Sequence, residues 1–177
     1  MAAFKSNAQV INMNYLQIDK ASINNGPGVR VVLWVSGCKV KCKGCQNPES
    51  WNFCAGKLFD EDAKKELFEA LNKPYIRGLT ISGGNPLDSP CDIFRLGCEI
   101  KSKFPDKDIW LYSGYTYEEI RMSREKTRAL FGADILVDGP YIEEQRDVTL
   151  RFRGSANQRI ININETLNQG KVITIQD

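Results

Sequence analysis

The run Val29-Arg30-Val31-Val32-Leu33-Trp34-Val35 is β-branched and almost wholly apolar. A strand with so little polar surface must be covered on both faces. Three more short runs share this character: Gly78 to Ser82, Ile109 to Tyr112 and Asp134 to Val137. Between them lie helical patterns. Asp60 to Asn72 offers a capping carboxylate, acidic residues in its first turn, and Ala63, Leu67, Ala70 and Leu71 on one face. Ser89-Pro90 starts a second helix that reaches about Phe104, with Ile93, Leu96, Ile100 and Phe104 facing inward. Tyr117 to Leu130 reads as helix in two pieces. Strand and helix alternate, which predicts right-handed βαβ units and a parallel α/β sheet. Residues 1–12 read as a loose polar tail and residues 13–177 as one domain. The end of the chain, Arg159 to Asn164 and Lys171 to Ile175, reads as short strands or extended segments.

Ligands of a parallel α/β sheet sit at the C-terminal ends of its strands. Four loops are expected there: the segment after Val35, Gly83-Gly84-Asn85-Pro86, Ser113-Gly114-Tyr115 and Asp138-Gly139-Pro140. The first holds Cys38, Cys42 and Cys45, three of the chain's six cysteines. The 177 residues include no histidine, which removes Ser-His-Asp and Cys-His catalysis and histidine zinc sites. Any metal must be held by thiolate or oxygen.

A tight loop with three and then two residues between cysteines aims three sulfurs inward. The spacing favours an iron–sulfur cubane with one iron left open for a ligand. A structural zinc site or a closed electron-transfer cluster would recruit Cys54 as fourth ligand, and unliganded thiols are a further reading. Cys91 and Cys98 lie ~10 Å apart along one helix, too far for a disulfide, and read as packing thiols. The net charge of +2 gives no reason to expect nucleic acid or an anionic membrane as partner. The first residues have no apolar core of the signal-peptide kind, and no stretch is long enough to span a bilayer. A reduced, cytoplasmic setting is the expectation.

The Cys38-x3-Cys42-x2-Cys45 step after a strand resembles the signature of radical S-adenosylmethionine enzymes. Asn25-Gly26-Pro27-Gly28-x-Arg30, Ser36-Gly37-Cys38, Gly44-Cys45, Asn47 and Trp51 narrow the likeness. So do Ser82-Gly83-Gly84, Pro86-Leu87, Lys107-Asp108-Ile109-Trp110, Gly114-Tyr115, Val137-Asp138-Gly139 and Arg153-Gly154-Ser155-x-Asn157-Gln158. Together they resemble the activating proteins of anaerobic (class III) ribonucleoside-triphosphate reductase, from about Met13 to Arg159.

The resemblance implies an incomplete (β/α) barrel. It implies a [4Fe-4S] cluster on Cys38, Cys42 and Cys45, with S-adenosyl-L-methionine on the open iron. Reductive cleavage would give a 5′-deoxyadenosyl radical that takes hydrogen from a backbone glycine of the reductase. Catalysis would rest on the cluster and cofactor, with no further catalytic residue. Gly44, Cys45 and Gln46 would follow the backbone beside adenine. Gly83 and Gly84 would meet the methionyl ammonium, with Asn85 where an acidic residue is usual. Gln46 stands where tyrosine is common, and Gly44 where the wider superfamily prefers an aromatic. An electron donor such as flavodoxin or ferredoxin is implied. Ser113 and Asp138 are weaker candidates for the cofactor wall, Arg151, Arg153 and Arg159 for contact with reductase or cofactor, and Trp51 and Tyr115 for packing. The competing functions are a pyruvate formate-lyase-type activase, a deazapurine-forming enzyme, and a non-enzymatic thiolate module.

Overall fold

In a computed structural model, which describes residues 11–175, the apolar runs form the middle of a sheet. The elements in chain order are β1 (Asn14–Ser22), β2 (Val29–Val35), β3 (Lys57–Leu58), α1 (Glu61–Leu71), β4 (Ile76–Gly83), α2 (Pro90–Lys103), β5 (Asp108–Tyr112), α3 (Tyr117–Arg121), α4 (Arg124–Leu130), β6 (Ile135–Asp138), β7 (Arg159–Asn162) and α5 (Ile163–Gln169). The sheet order is β3-β1-β2-β4-β5-β6-β7. β2, β4, β5 and β6 run parallel, as the alternation predicts. β1 and β3 are added antiparallel on one side and β7 on the other. The sheet does not close: β3 and β7 are its two ends.

The register explains why the central strands are apolar on both faces. Leu33 pairs with Ile81, Ile81 with Leu111, Leu111 with Leu136, and Leu136 with Ile161. This row is fully buried and joins Leu67, Leu71, Leu96, Ile100 and Leu130 of the helices in the main core. Neighbouring positions point to the other face, because strand side chains alternate. There Trp110, Val137 and Ile160 form a second cluster with Tyr112, Ile135 and Phe152. The core thus occupies one side of the sheet, and the opposite side carries aromatic and polar groups.

The helices start for the expected reasons. Asp60 caps α1, its carboxylate accepting the Ala63 amide at 2.9 Å. Thr116 and Glu119 form a reciprocal capping box on α3. Ser89 precedes α2 with a proline at the first position but makes no side-chain cap bond, so proline geometry sets that start.

Several expectations need correction. The segment read as extended to Asn164 ends as strand at Asn162 and enters α5, while residues 171–175 are extended as expected, bonded to β7 through the Asn162 and Ile175 amides. Asn162 caps this helix through the Glu165 amide. Cys91 and Cys98 are exposed, not packed. Most of the expected tail lies outside the described residues. Its last two positions are held: Ile11 packs on the core, and the Asn12 amide donates to Asp92 at 3.2 Å.

Arg30 is the charged exception in β2 and is fully buried. Its guanidinium donates to Thr80 Oγ1 and the Leu79 carbonyl, both at 2.8 Å, and pairs with Asp108. It also sits 5.5 Å from the Trp110 ring centre. Burial pulls its pKa down and Asp108 opposes this. Gly26 makes the pocket possible: a Cβ there would lie 2.9 Å from Arg30 Cδ and 3.2 Å from Trp110. Gly-Pro-Gly-x-Arg is therefore a clamp joining the start of β2 to β4 and β5. Replacing Arg30 with Met should cost about 3 kcal/mol of unfolding free energy, since it leaves Asp108 without its buried partner. Chemical denaturation measures this, and Lys at the same position should restore little because it lacks the fork.

Candidate functional site

The loop after β2 carries the cysteines and is tied down by its backbone. The Gly37 amide donates to the Ser50 carbonyl at 2.7 Å, and the Cys38 amide to that of Trp51 at 3.1 Å. The Lys39 amide donates to Asp88 Oδ2 at 2.8 Å. Within the loop the Cys45 amide returns to the Cys42 carbonyl, and the Asn47 amide donates to Cys45 Sγ at 3.4 Å. Lys41 and Gly44 take positive φ, which turns the chain twice within the cysteine spacing.

The next loop is pressed against this one. The Gly84 amide donates to the Val35 carbonyl and the Asn85 amide to the Gly37 carbonyl, both at 2.8 Å. A Cβ on Gly84 would strike the Gly37 carbonyl oxygen and lie 3.0 Å from that of Ser50. A Cβ on Gly83 would come within 2.6 Å of the Val35 carbonyl oxygen. The close approach of protein backbone alone requires both glycines.

A cavity of about 650 Å³ opens beside these loops. Cys38, Cys42, Cys45, Gln46, Gly83 and Gly84 all line it, so six of the eight candidate residues share one wall system. Gly44 and Asn85 lie outside that lining. The space where a Gly44 side chain would stand is filled by the Glu143 carboxylate, 2.8 Å from the ideal Cβ position. Asn85 is buried and committed: its Oδ1 accepts the Leu87 amide at 3.3 Å and the Ser113 hydroxyl at 3.2 Å. Its Nδ2 is buried without a partner. Ser113 does line the cavity, and its hydroxyl also accepts the Tyr115 amide at 3.1 Å.

The far wall comes from β1, from the cavity face of the sheet and from the segment before β7. Trp34, Ser82 and Tyr112 point in from the sheet, and Asp19 accepts the Trp34 indole N–H at 2.8 Å. The Tyr112 hydroxyl donates to the Phe152 carbonyl at 2.7 Å, and the Phe152 ring meets Trp110 edge-on at 5.6 Å. Burial pushes the Tyr112 phenol up, so it stays a donor.

The Arg153-Gly154-Ser155-x-Asn157-Gln158 segment proves to be a clasp. Gln158 Oε1 accepts the Gly154 and Ser155 amides, and its Nε2 donates to the Gly139 carbonyl at 3.1 Å. Asn157 Nδ2 donates to the Pro140 carbonyl at 2.8 Å, and Arg153 to the Gln158 carbonyl at 3.1 Å. Asp138 and Arg159 lie outside the cavity lining as a structural pair. Asp138 also accepts the Tyr117 amide at 2.7 Å, and Arg159 bridges to Glu118. The two carboxylates push the guanidinium pKa up, Asp138 most, and Arg159 in turn pulls Glu118 down. Arg151 lies over the Phe152 ring at 5.1 Å.

Cys38 is buried, and Cys42 and Cys45 are half-buried, with no disulfide among them. Burial pushes the Cys42 thiol up, against a hydrogen bond from the Tyr141 backbone. Three soft sulfur donors on one cavity wall suit an iron–sulfur cluster. Among the described residues no three His, Cys, Asp or Glu side chains are grouped to hold a single metal ion. Cys54 is exposed, outside the cavity lining, and its amide donates to Asn52.

Residues 24–161 match the model of the 4Fe-4S single cluster domain family. The anaerobic ribonucleoside-triphosphate reductase-activating protein of Enterobacteria phage T4 is 43% identical over 150 residues, covering 84% of this chain and 93% of the relative. That of Haemophilus influenzae is 43% identical over 153 residues, covering 84% and 97%. The Escherichia coli K12 protein of the same name is 37% identical over 150 residues, covering 82% and 96%. The chain belongs to this activating-protein family. The sequence motifs that resemble the family thus fall into two physical groups. The cysteines and paired glycines face the cavity, while Gly-Pro-Gly-x-Arg and the Arg-Gly-Ser-x-Asn-Gln clasp hold its walls. Among the described residues no helix is long and apolar enough to cross a membrane.

Gly84→Ala should lower stability by about 1–3 kcal/mol through overpacking. It should also lower iron uptake, because the clash falls on the base of the cysteine loop. Thermal melting and iron per chain after anaerobic reconstitution read the two effects. Gln158→Ala should leave the Gly154 and Ser155 amides without their acceptor, at a cost of about 1–3 kcal/mol. Limited proteolysis should then cut residues 146–153 faster than in the unaltered chain.

Proposed function

We propose that the chain is a radical S-adenosylmethionine enzyme that activates anaerobic ribonucleoside-triphosphate reductase by forming a glycyl radical on it. One observation carries this reading: Cys38, Cys42 and Cys45 share a cavity with Gly83 and Gly84, in a family whose named members are reductase-activating proteins. The three thiolates would hold a [4Fe-4S] cluster, whose fourth iron takes S-adenosyl-L-methionine. Bound there and given one electron by an external reductant, cluster and cofactor would supply the radical chemistry needed to remove hydrogen from a glycine Cα.

The chain's own residues supply position and shelter. Cys38 is anchored by its amide and by the docked glycine loop, so one ligand is fixed before metal arrives. Gly83 exposes backbone to the cavity and admits close approach by a small polar group. Asn85 cannot offer Oδ1 without releasing Leu87 and Ser113, so its role is to set the Ser113 hydroxyl and the turn after β4. Recognition of the methionyl ammonium then falls to the Ser82–Gly84 backbone. Gln46 and the Cys45 backbone form the side on which adenine would lie. Trp34, Tyr112 and Phe152 give the cavity an aromatic lining that limits water. On this reading the unclosed sheet would serve as an incomplete (β/α) barrel, with its open side available to a protein substrate. Free thiols agree with a reducing, cytoplasmic location.

Anaerobic reconstitution of the unaltered chain should give cluster absorbance and, with reductant, 5′-deoxyadenosine. Each of Cys38→Ala, Cys42→Ala and Cys45→Ala should abolish both, whereas Cys54→Ser should keep both. Adding the reductase should produce an organic radical by electron paramagnetic resonance that substitution of its radical-bearing glycine removes. Full cluster loss in Cys54→Ser would replace the open site with a closed one. Cofactor cleavage without any reductase radical would reassign the protein substrate.

A further inference from the structure

The cysteine loop has a second side. A groove of about 640 Å³ runs along it, and Cys38, Lys39, Lys41, Trp51 and Phe53 form its walls. Cys38 and Trp51 belong to both the groove and the cavity, so they are the partition between them. Phe53 is 43% exposed, yet its ring is held against the loop. It occupies the space where a Gly37 side chain would be, and Gly37 has a φ of +97°. A fixed exposed aromatic therefore stands next to the residue preceding Cys38.

The cysteine-loop wall of this groove is positively charged, and the exposed carboxylate nearest in sequence to the opposite wall is Glu49, next to Pro48. Between Cys38 and Asn47 the sequence has Lys39, Lys41 and Lys43 and no carboxylate. Among the described residues neither Lys39 nor Lys41 makes an ion pair, and both are exposed. Lys43 is turned elsewhere, 3.6 Å from Glu144. Asp88, the carboxylate bonded to the Lys39 backbone, is occupied by that amide and by the Tyr115 hydroxyl at 2.8 Å.

We propose that this groove is the docking surface for an acidic one-electron carrier protein. The inference rests on the cluster assigned above to Cys38, Cys42 and Cys45. In the transfer the carrier is oxidised by one electron and the cluster reduced by one, and no bond is made or broken. Electron transfer falls steeply with distance, and the groove reaches a ligand cysteine directly. The cavity side is reserved for cofactor and protein substrate, so a donor needs another approach. Positive charge around a small contact suits such encounters, which bury less than ~1,200 Å² and gain speed from electrostatic steering. The exposed Phe53 gives the contact an apolar centre.

The test uses Lys39→Glu/Lys41→Glu, with Lys39→Gln/Lys41→Gln as the neutral control, in full-length chain reconstituted with cluster. An acidic flavodoxin is the probe. Its affinity for each protein is measured by calorimetry at low and moderate salt. Cluster reduction is followed by absorbance with photoreduced flavodoxin and, separately, with dithionite. The charge reversal should weaken flavodoxin binding at least about tenfold at low salt and slow reduction by flavodoxin in step. The neutral control should fall between. Added salt should weaken binding by the unaltered chain and leave the reversed variant nearly unchanged. Dithionite should reduce all three at one rate. Unchanged flavodoxin affinity would overturn the proposal. Equal slowing with dithionite would do so too, by making the lysines part of the cluster's support. Retained flavodoxin binding with lost reductase binding would give the groove to the substrate protein instead. An unaltered chain that takes up no iron fails earlier and for a different reason, through the cluster reading itself.

Discussion

The site depends on one backbone contact between two loops. The chain leaving β4 donates its Gly84 and Asn85 amides to the Val35 and Gly37 carbonyls of the chain leaving β2. These are neighbouring parallel strands, so their ends already lie about 4.8 Å apart. Only residues without side chains can let the loops continue side by side. Gly84 meets the Gly37 carbonyl, Gly83 meets Val35, and Gly37 gives its own side-chain space to Phe53. Three glycines on two loops thus answer one steric demand. The position of Cys38 follows from that demand, because its amide and its predecessor's are both pinned to the Ser50–Trp51 turn.

The same constraint explains how much of the site could be read from sequence. β2, β4, β5 and β6 were legible because both faces are buried, which produces continuous apolar runs. Their loops were legible as Gly and Cys clusters at strand ends. β1 was not, because an antiparallel strand near the sheet edge carries a mixed sequence, Asn14 to Ser22, that is only half-buried. α5 was hidden for a related reason: Ile160, Ile161 and Ile163 are all buried, and the β-branched run reads as strand past the point where Asn162 caps a helix. Cys91 and Cys98 misled because cysteine is usually a buried residue, and here both sit on the outer side of α2. Asn85 could be placed beside the site but not given its job. Its partners Leu87 and Ser113 are two and 28 residues away, and only the second fixes which way the amide faces.

The Arg-Gly-Ser-x-Asn-Gln segment is a sharper case. Its family character was visible, yet its chemistry was not. A sequence reading offers arginines in such a tail to a ligand or a partner protein, with salt bridges the commoner outcome for any one of them. In the fold, Gln158 and Asn157 spend their amides on Gly139 and Pro140, and Arg153 reaches the Gln158 carbonyl. Arg159 is absorbed by Asp138 and Glu118. These polar groups satisfy backbone that no strand or helix satisfies, as buried loop backbone requires. Their function is to hold a wall in place.

That wall accounts for the antiparallel β7. A parallel sheet alone presents its strand ends to solvent, and a reactive species generated there would meet water. By turning back along β6, the chain brings residues 146–158 across the sheet face opposite the helices. Phe152 then packs on Trp110, and Tyr112 ties its carbonyl to β5. Phe152 takes a φ of +58°, unusual for a residue with a side chain. The cluster of Trp110, Val137 and Ile160 offsets that strain by burying the ring. The cavity is enclosed on the side where the clasp lies, and the lysine side of the cysteine loop stays exposed. One loop can therefore face a sheltered cavity and an open groove at once, because its backbone, rather than its side chains, is what the rest of the fold holds.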